Sequence, residues 1–185
     1  SILKDSNNNY YLEGSGDPDL QIIDIENLLS TYKFSSNINL NLIDISNNLI
    51  WPDGWTSEDK KYNYGSPITM LALNSNEIDY QNINFLKDNI YSYLSYKFPN
   101  SKLKISIVNY EDINAEKFKI VNEINSNSIL SLITLINSES HNFTAESLFK
   151  NASKTWDKNK YIKLKFWLRT KGLPVKDIII TDASG

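Results

Sequence analysis

This sequence predicts an α/β layer fold, with an α+β arrangement as the rival, and three observations carry the expectation. Apolar residues make up 41% of the 185-residue chain and are spread along its whole length. That is enough to offset the ordering entropy of one domain of ordinary size spanning residues 1–185. From residue 67 onward, short apolar or alternating runs trade places with segments of helical spacing. The connections between them are short, which predicts a single layered domain with a mixed, largely parallel sheet flanked by helices.

Gly14-Ser15-Gly16-Asp17-Pro18-Asp19 reads as a turn running into a helix, with Asp17 at the N-cap and Pro18 at the first helical position. Ile22, Ile25, Leu29 and Tyr32 continue that helix to about Phe34. A strand is expected from Ile38 to Ile45, then a long connection from Ser46 to Ser66, then an apolar strand from Pro67 to Leu73. Ile83, Leu86, Ile90, Tyr93, Leu94 and Phe98 make a stripe that predicts a helix over 79–98, stopped by Pro99-Asn100. Leu103, Ile105 and Ile107 alternate with polar neighbours as a short strand. Asn114 can cap a helix holding Phe118, Val121 and Ile124. Ile129 to Ile136 is almost wholly apolar and eight residues long, which suits a strand buried on both faces. Thr144 can cap a helix through Leu148 and Phe149. Over residues 160–171, Ile162, Leu164, Phe166 and Leu168 alternate with Lys163, Lys165, Trp167 and Arg169, a half-buried strand pattern. Gly172 and Pro174 mark a turn before a last strand, Asp177 to Ile180.

Composition excludes several chemistries. There is no cysteine, so disulfide scaffolds, cysteine-ligated zinc or iron–sulfur sites and thiol chemistry are ruled out. A serine–histidine relay would need His141, the one imidazole. No apolar run approaches eighteen residues, so no spanning helix is expected. Lysine outnumbers arginine 18 to 1, and this bias, with abundant asparagine, fits an AT-rich genome. The chain begins with Ser1, so a processed chain or an excised part of a larger protein is expected. The net charge of −3 is uneven: residues 1–60 carry −7 and residues 151–185 carry +5. An acidic front meeting a basic tail within one fold explains this more simply than an anionic partner.

Four groups of residues are candidates for chemistry. Gly14 to Asp19, followed by Asp24 and Glu26, resembles the glycine–serine plus spaced carboxylates of nucleotidyl transferases, although Asp24 and Glu26 do not share a helix face. Asp44-Ile45-Ser46-Asn47-Asn48 is similar to a metal-dependent adhesion site in its Asp-x-Ser-x spacing, but Asn48 is not a hydroxyl. The connection from Trp51 to Gly65 holds Trp51, Trp55, Tyr62 and Tyr64 beside Asp53, Glu58 and Asp59. Aromatic faces next to carboxylates suit sugar or peptide recognition, or else plug a long loop onto the core. In that loop one tryptophan is expected to anchor and the other to be free, with Tyr64 more packed than Tyr62. Lys163, Lys165, Trp167 and Arg169 could meet nucleic acid, or could guard a strand edge. His141 reads as a capping or surface residue, and Asn142-Phe143-Thr144 and Asn151-Ala152-Ser153 are formal glycosylation acceptors.

The function expected from these features is a non-catalytic interaction or structural domain, extracytoplasmic and secreted or displayed at a cell surface. It would bind a protein or glycan partner through Trp51, Asp53, Trp55, Tyr62 and Tyr64 and use no cofactor. The alternative is a metal-dependent enzyme acting on phosphate esters, with Asp17, Asp19 and Asp44 as ligands. A third reading is a nucleic-acid-binding module using the basic C-terminal segment, against which the acidic balance weighs.

Overall fold

The computed structural model describes residues 1–44, 50–77, 82–109, 112–113, 118–153, 156 and 161–184. Its sheet grows outward from strand β3 (Asn37–Asp44), whose alternating Ile38, Leu40 and Leu42 all face one side and are buried. β4 (Lys102–Asn109) runs parallel to β3, in register from Asn37↔Lys102 to Asp44↔Asn109. β2 (Tyr10–Leu12) pairs parallel to the other edge of β3, with Tyr10 opposite Leu40. β1 (Ile2–Lys4) lies antiparallel to β2, and β5 (Lys119–Asn122) closes the edge antiparallel to β1. The order is β4-β3-β2-β1-β5, a mixed sheet with a parallel centre, as the sequence predicts.

Helices α1 (Ile22–Thr31) and α2 (Ile83–Lys97) lie together on the face carrying Ile38, Leu40 and Leu42. Ile25, Leu28 and Leu29 of α1 meet Leu86, Ile90 and Leu94 of α2 there, with Ile2, Leu12, Leu73 and Ile105. Side chains at i, i+3 and i+4 form this seam because they share one helix face. Tyr10, Tyr32, Phe34 and Phe98 add edge-to-face contacts, with ring centroids 4.9–5.8 Å apart. A second, smaller cluster joins Ile68 and Ala72 to Phe143, flanked by Trp55 and Trp156. It ties the central loop to the helical region formed by α3 (Ile129–Glu139), α4 (Asn142–Ser153) and α5 (Ile162–Thr170).

Several expected elements differ. The helix after Gly14 starts later, with Gln21 as N-cap, and Asp24 Oδ2 accepts the Gln21 N–H at 2.9 Å. Asp17 instead closes its own turn by accepting the Asp19 N–H at 3.0 Å. The apolar run 129–136 is a helix: Ser128 Oγ accepts the Ser131 N–H at 3.2 Å, and the helix continues to Glu139. Capping decided between two states that an eight-residue apolar run leaves open. The 160–171 pattern is also a helix where described, because Leu164 and Leu168, four apart, turn to one side. Gly172 ends it at φ +77°, with Leu173 N–H reaching Leu168 O and Gly172 N–H reaching Arg169 O. Residues 67–73 make only an isolated bridge, Ile68 to Ile50, and 178–180 is irregular. The helix expected from Asn114 gives way to β5, since Val121 and its neighbours complete the sheet edge beside β1; Asn114 itself lies outside the described residues.

Candidate functional site

The turn joining α3 to α4 is built by two short-range rules. Ser140 ends α3 in the left-handed region, at φ 53° and ψ 43°, which reverses the chain. Two residues on, Asn142 opens α4. Between them His141 turns inward as a cap: its Nδ1 lies 2.7 Å from Thr144 Oγ1 and accepts the Thr144 N–H at 3.4 Å. A ring nitrogen that accepts an N–H carries no proton, so the neutral ring holds its proton on Nε2. Burial lowers the imidazole pKa below its usual range, against the opposing pull of Asp19 and Glu77. Ser140 stays exposed and Asn142 half-buried, so a hydroxyl and a carboxamide flank an inward-facing ring.

Behind this turn α4 is anchored tightly. Phe143, Thr144, Glu146, Ser147 and Lys150 are all buried. Glu146 Oε1 accepts the Ala183 N–H, drawing the C-terminal segment onto the helix. Asn151 Nδ2 donates to Gly16 O at 2.9 Å, while Asn151 Oδ1 accepts from Trp156 Nε1 at 3.2 Å. A Cβ on Gly16 would lie 2.1 Å from the Trp156 ring, and one on Gly14 would lie 2.2 Å from Met70 O. These glycines therefore allow backbone packing, and their surroundings are not a phosphate cradle. Ser147 and Lys150 share an S-x-x-K spacing on α4, but both are fully buried and Ser147 Oγ has no hydrogen-bond partner among the described residues. Ser147 has no surface from which to attack a substrate.

The nominated aromatic loop is described in full. Trp51 is half-buried, donates from Nε1 to Gly65 O at 3.0 Å and lies under Lys60 Nζ, 5.0 Å from the ring. Trp55 is half-buried too and donates to Ser184 Oγ at 3.2 Å. Neither indole is free, so the expected division between them is corrected. Tyr62 and Tyr64 stack at 5.4 Å and are equally open, 48% and 50% exposed, so Tyr64 is not the more packed. Asp53 is exposed; with Glu146 and Asp182, and after burial as the main cause, it pushes the Tyr161 phenol pKa upward.

The proposed metal ligands already serve other partners. Asp17 Oδ1 accepts from Ser126 Oγ at 2.7 Å, and Asp19 Oδ2 accepts from Asn127 Nδ2. They line a polar recess of ≈ 250 Å³ with Asp24. Among the described residues no group of three His, Cys, Asp or Glu side chains could hold a metal ion. Asp44 closes β3 opposite Asn109; its side chain and residues 45–49 lie outside the described residues. Lys163, Lys165, Trp167 and Arg169 sit on helix α5, where a period of 3.6 no longer places them on one face. No described helix is long and apolar enough to cross a membrane.

The feature that sequence reasoning missed is the tripeptide Ser140-His141-Asn142. In the sequence His141 stands out only as a cap, and Asn142-Phe143-Thr144 only as a glycosylation pattern. Ser-x-Asn recurs in this asparagine-rich chain, for example at Ser6-Asn7-Asn8, so spacing alone could not single it out.

No protein-family model matches the chain, and no curated protein matches its sequence. Among solved structures it is similar to penicillin binding protein 4 from Haemophilus influenzae, at a TM-score of 0.74 and 14% identity. The match covers 100% of this chain and 59% of that one, so the chain spans less than two thirds of its structural neighbour. At this identity what is shared is the α/β fold. The expectation of a non-catalytic interaction or structural domain is overturned by that likeness, because the whole chain follows the fold of a penicillin binding protein.

Proposed function

We propose that this chain is part of a penicillin-binding, DD-peptidase-like acyl-transfer enzyme and supplies its Ser-x-Asn element through Ser140-His141-Asn142. The observation that carries the reading is the match over the entire chain at a TM-score of 0.74. Penicillin-binding enzymes work with three short elements: S-x-x-K bearing the nucleophilic serine, S-D-N and K-T-G. Ser140-His141-Asn142 has the form of the second, with His141 at the middle position. Ser140 sits exposed at the αL reversal that ends α3, and His141 Nδ1 lies against Thr144 Oγ1 in the turn that follows. A carboxamide that both donates and accepts, next to a hydroxyl, suits an amide-like acyl substrate. Lys-Thr-Gly does not occur in this sequence, and the buried Ser147–Lys150 pair is closed to substrate. The chain thus accounts for one of the three elements.

Labelling of the full-length gene product with a fluorescent penicillin tests this. A stable covalent band is expected, and Ser140→Ala or Asn142→Ala is expected to slow its formation by about 10²–10³-fold, as for loss of one positioned donor. No band from folded wild-type protein at millimolar penicillin would refute the reading. The extracytoplasmic location expected from the sequence belongs to this proposal, and fractionation of the source cells tests it.

A further inference from the structure

Helix α5 carries apolar residues on two opposite sides. Leu164 and Leu168 are half-buried and make its inner side, and no residue of the helix is fully buried. At about 3.6 residues per turn, Ile162 and Phe166 stand one above the other on the opposite side. There they form an open ridge, 65% and 67% exposed. Lys165 and Arg169 line one flank of the ridge and Lys163 the other. Beyond Lys163 comes Trp167, which is exposed too, with Lys171 Nζ 5.7 Å from its ring. Residues 161–176 carry five cations and no acid, in a chain whose net charge is −3.

We infer that the outer side of α5 is a docking surface for an anionic lipid layer, with Ile162 and Phe166 set among the headgroups and the flanking cations on their phosphates. The inference goes beyond the penicillin-binding reading and does not depend on it. Charge complementarity selects the occupant. Cations on both flanks of an apolar ridge need anions on both sides of whatever receives it, and a planar layer of anionic headgroups supplies them at once. A protein groove deep enough for the ridge would instead strip water from both rows of cations, and would need a carboxylate placed for each. A second copy of this chain offers more cations at the same place, so two α5 ridges repel each other. Nucleic acid fits less well, because phosphate contacts put the cations at the summit and base stacking needs flat rings. Here the summit is Ile162 and Phe166, and Ile162 has no flat face. The inner Leu164 and Leu168 keep the helix on the protein while its outer ridge meets the lipid.

The test uses the full-length gene product and vesicles of phosphatidylcholine with or without phosphatidylglycerol. Phe166→Cys, with Tyr96→Cys on the open side of α2 as reference, is labelled with an environment-sensitive fluorophore. Emission from the Phe166 position is expected to shift to the blue with the anionic vesicles alone, and the reference is expected to stay unchanged. In co-sedimentation the Lys165→Glu/Arg169→Glu variant is expected to lose at least about tenfold in partitioning to the anionic vesicles, and Phe166→Ser about tenfold. Raised salt should weaken the wild type toward the double variant. Circular dichroism melts matching the wild type show that these exposed substitutions leave the fold intact. An unshifted Phe166 label, an equal shift at both positions, or a double variant that sediments like the wild type would overturn the inference. A Phe166→Cys thiol that the fluorophore cannot reach in the folded protein would overturn it in favour of a polypeptide cover. Duplex DNA that shifts the label while anionic vesicles do not would overturn it in favour of nucleic acid.

Discussion

Trp55 Nε1 donates to Ser184 Oγ at 3.2 Å, joining the central loop to the end of the chain across 129 residues. The same loop receives the C-terminal segment a second time, where Gly54 N–H meets Thr181 O at 3.2 Å. Trp55 also packs against the Ile68–Ala72–Phe143 cluster, so its ring contributes more than its hydrogen bond. Trp55→Phe is expected to cost about 1 kcal/mol and Trp55→Ala about 3 kcal/mol. Tyr62→Ala and Tyr64→Ala, both on the surface, should each stay within about 0.5 kcal/mol. Urea melts followed by circular dichroism distinguish these cases, and a neutral Trp55→Ala would show that the indole anchors nothing.

His141 makes stability depend on pH with a definite sign. Burial lowers its folded pKa, so the unfolded chain binds the proton more readily. The His141 contribution is therefore intact above the unfolded value of about 6.5 and is lost as pH falls from there through the folded pKa. His141→Asn keeps an acceptor for the Thr144 N–H and removes the titrating ring. Melting temperatures of wild type and His141→Asn from pH 8 to pH 5 should diverge only below about pH 7, with the wild type falling faster.

Gly16 and Gly172 share a positive φ, +78° and +77°, but not their surroundings. At Gly172 an added Cβ meets nothing within 4 Å, so Gly172→Ala is expected to cost only the left-handed penalty of about 1 kcal/mol. At Gly16 the Cβ would overlap the Trp156 ring, and Gly16→Ala should cost clearly more. Equal losses in denaturant melts would mean that the Trp156 contact carries no weight.

Asn74, Ser75 and Asn76 are all left-handed, with φ between 45° and 56°. The turn persists because buried Asn76 donates from Nδ2 to Pro67 O at 2.8 Å and to Thr69 Oγ1 at 2.7 Å. Asn76→Ala loses those bonds and still strains the backbone, whereas Asn76→Gly loses the bonds alone. The glycine variant is expected to be the more stable of the two by about 1 kcal/mol, measured as a difference in urea midpoint at constant m-value.

Helix α2 and strands β3 and β4 were legible because each carries a long, one-sided apolar pattern. Leu86, Ile90 and Leu94 repeat at helical spacing, and Ile38, Leu40 and Leu42 repeat at two. Strands β1 and β2 were missed: three residues each, they hold too few positions to show a period, and only pairing with β3 and β5 makes them strands. At α3 and α5 the residues suit either state, and a cap at Ser128 and a left-handed stop at Gly172 settled them as helices.

By itself the sequence determined the layered α/β class, the long elements of the sheet core and the exclusion of thiol chemistry, all of which depend on composition or on patterns within one segment. Tertiary structure decided the candidate site. Ser140-His141-Asn142 is one Ser-x-Asn among others until two helices meet around it, and Asp17 and Asp19 look like ligands until Ser126 and Asn127 take their oxygens. The physical reason is common to both: what a polar side chain can do depends on which partners satisfy it, and those partners stand more than a hundred residues away or on the next helix.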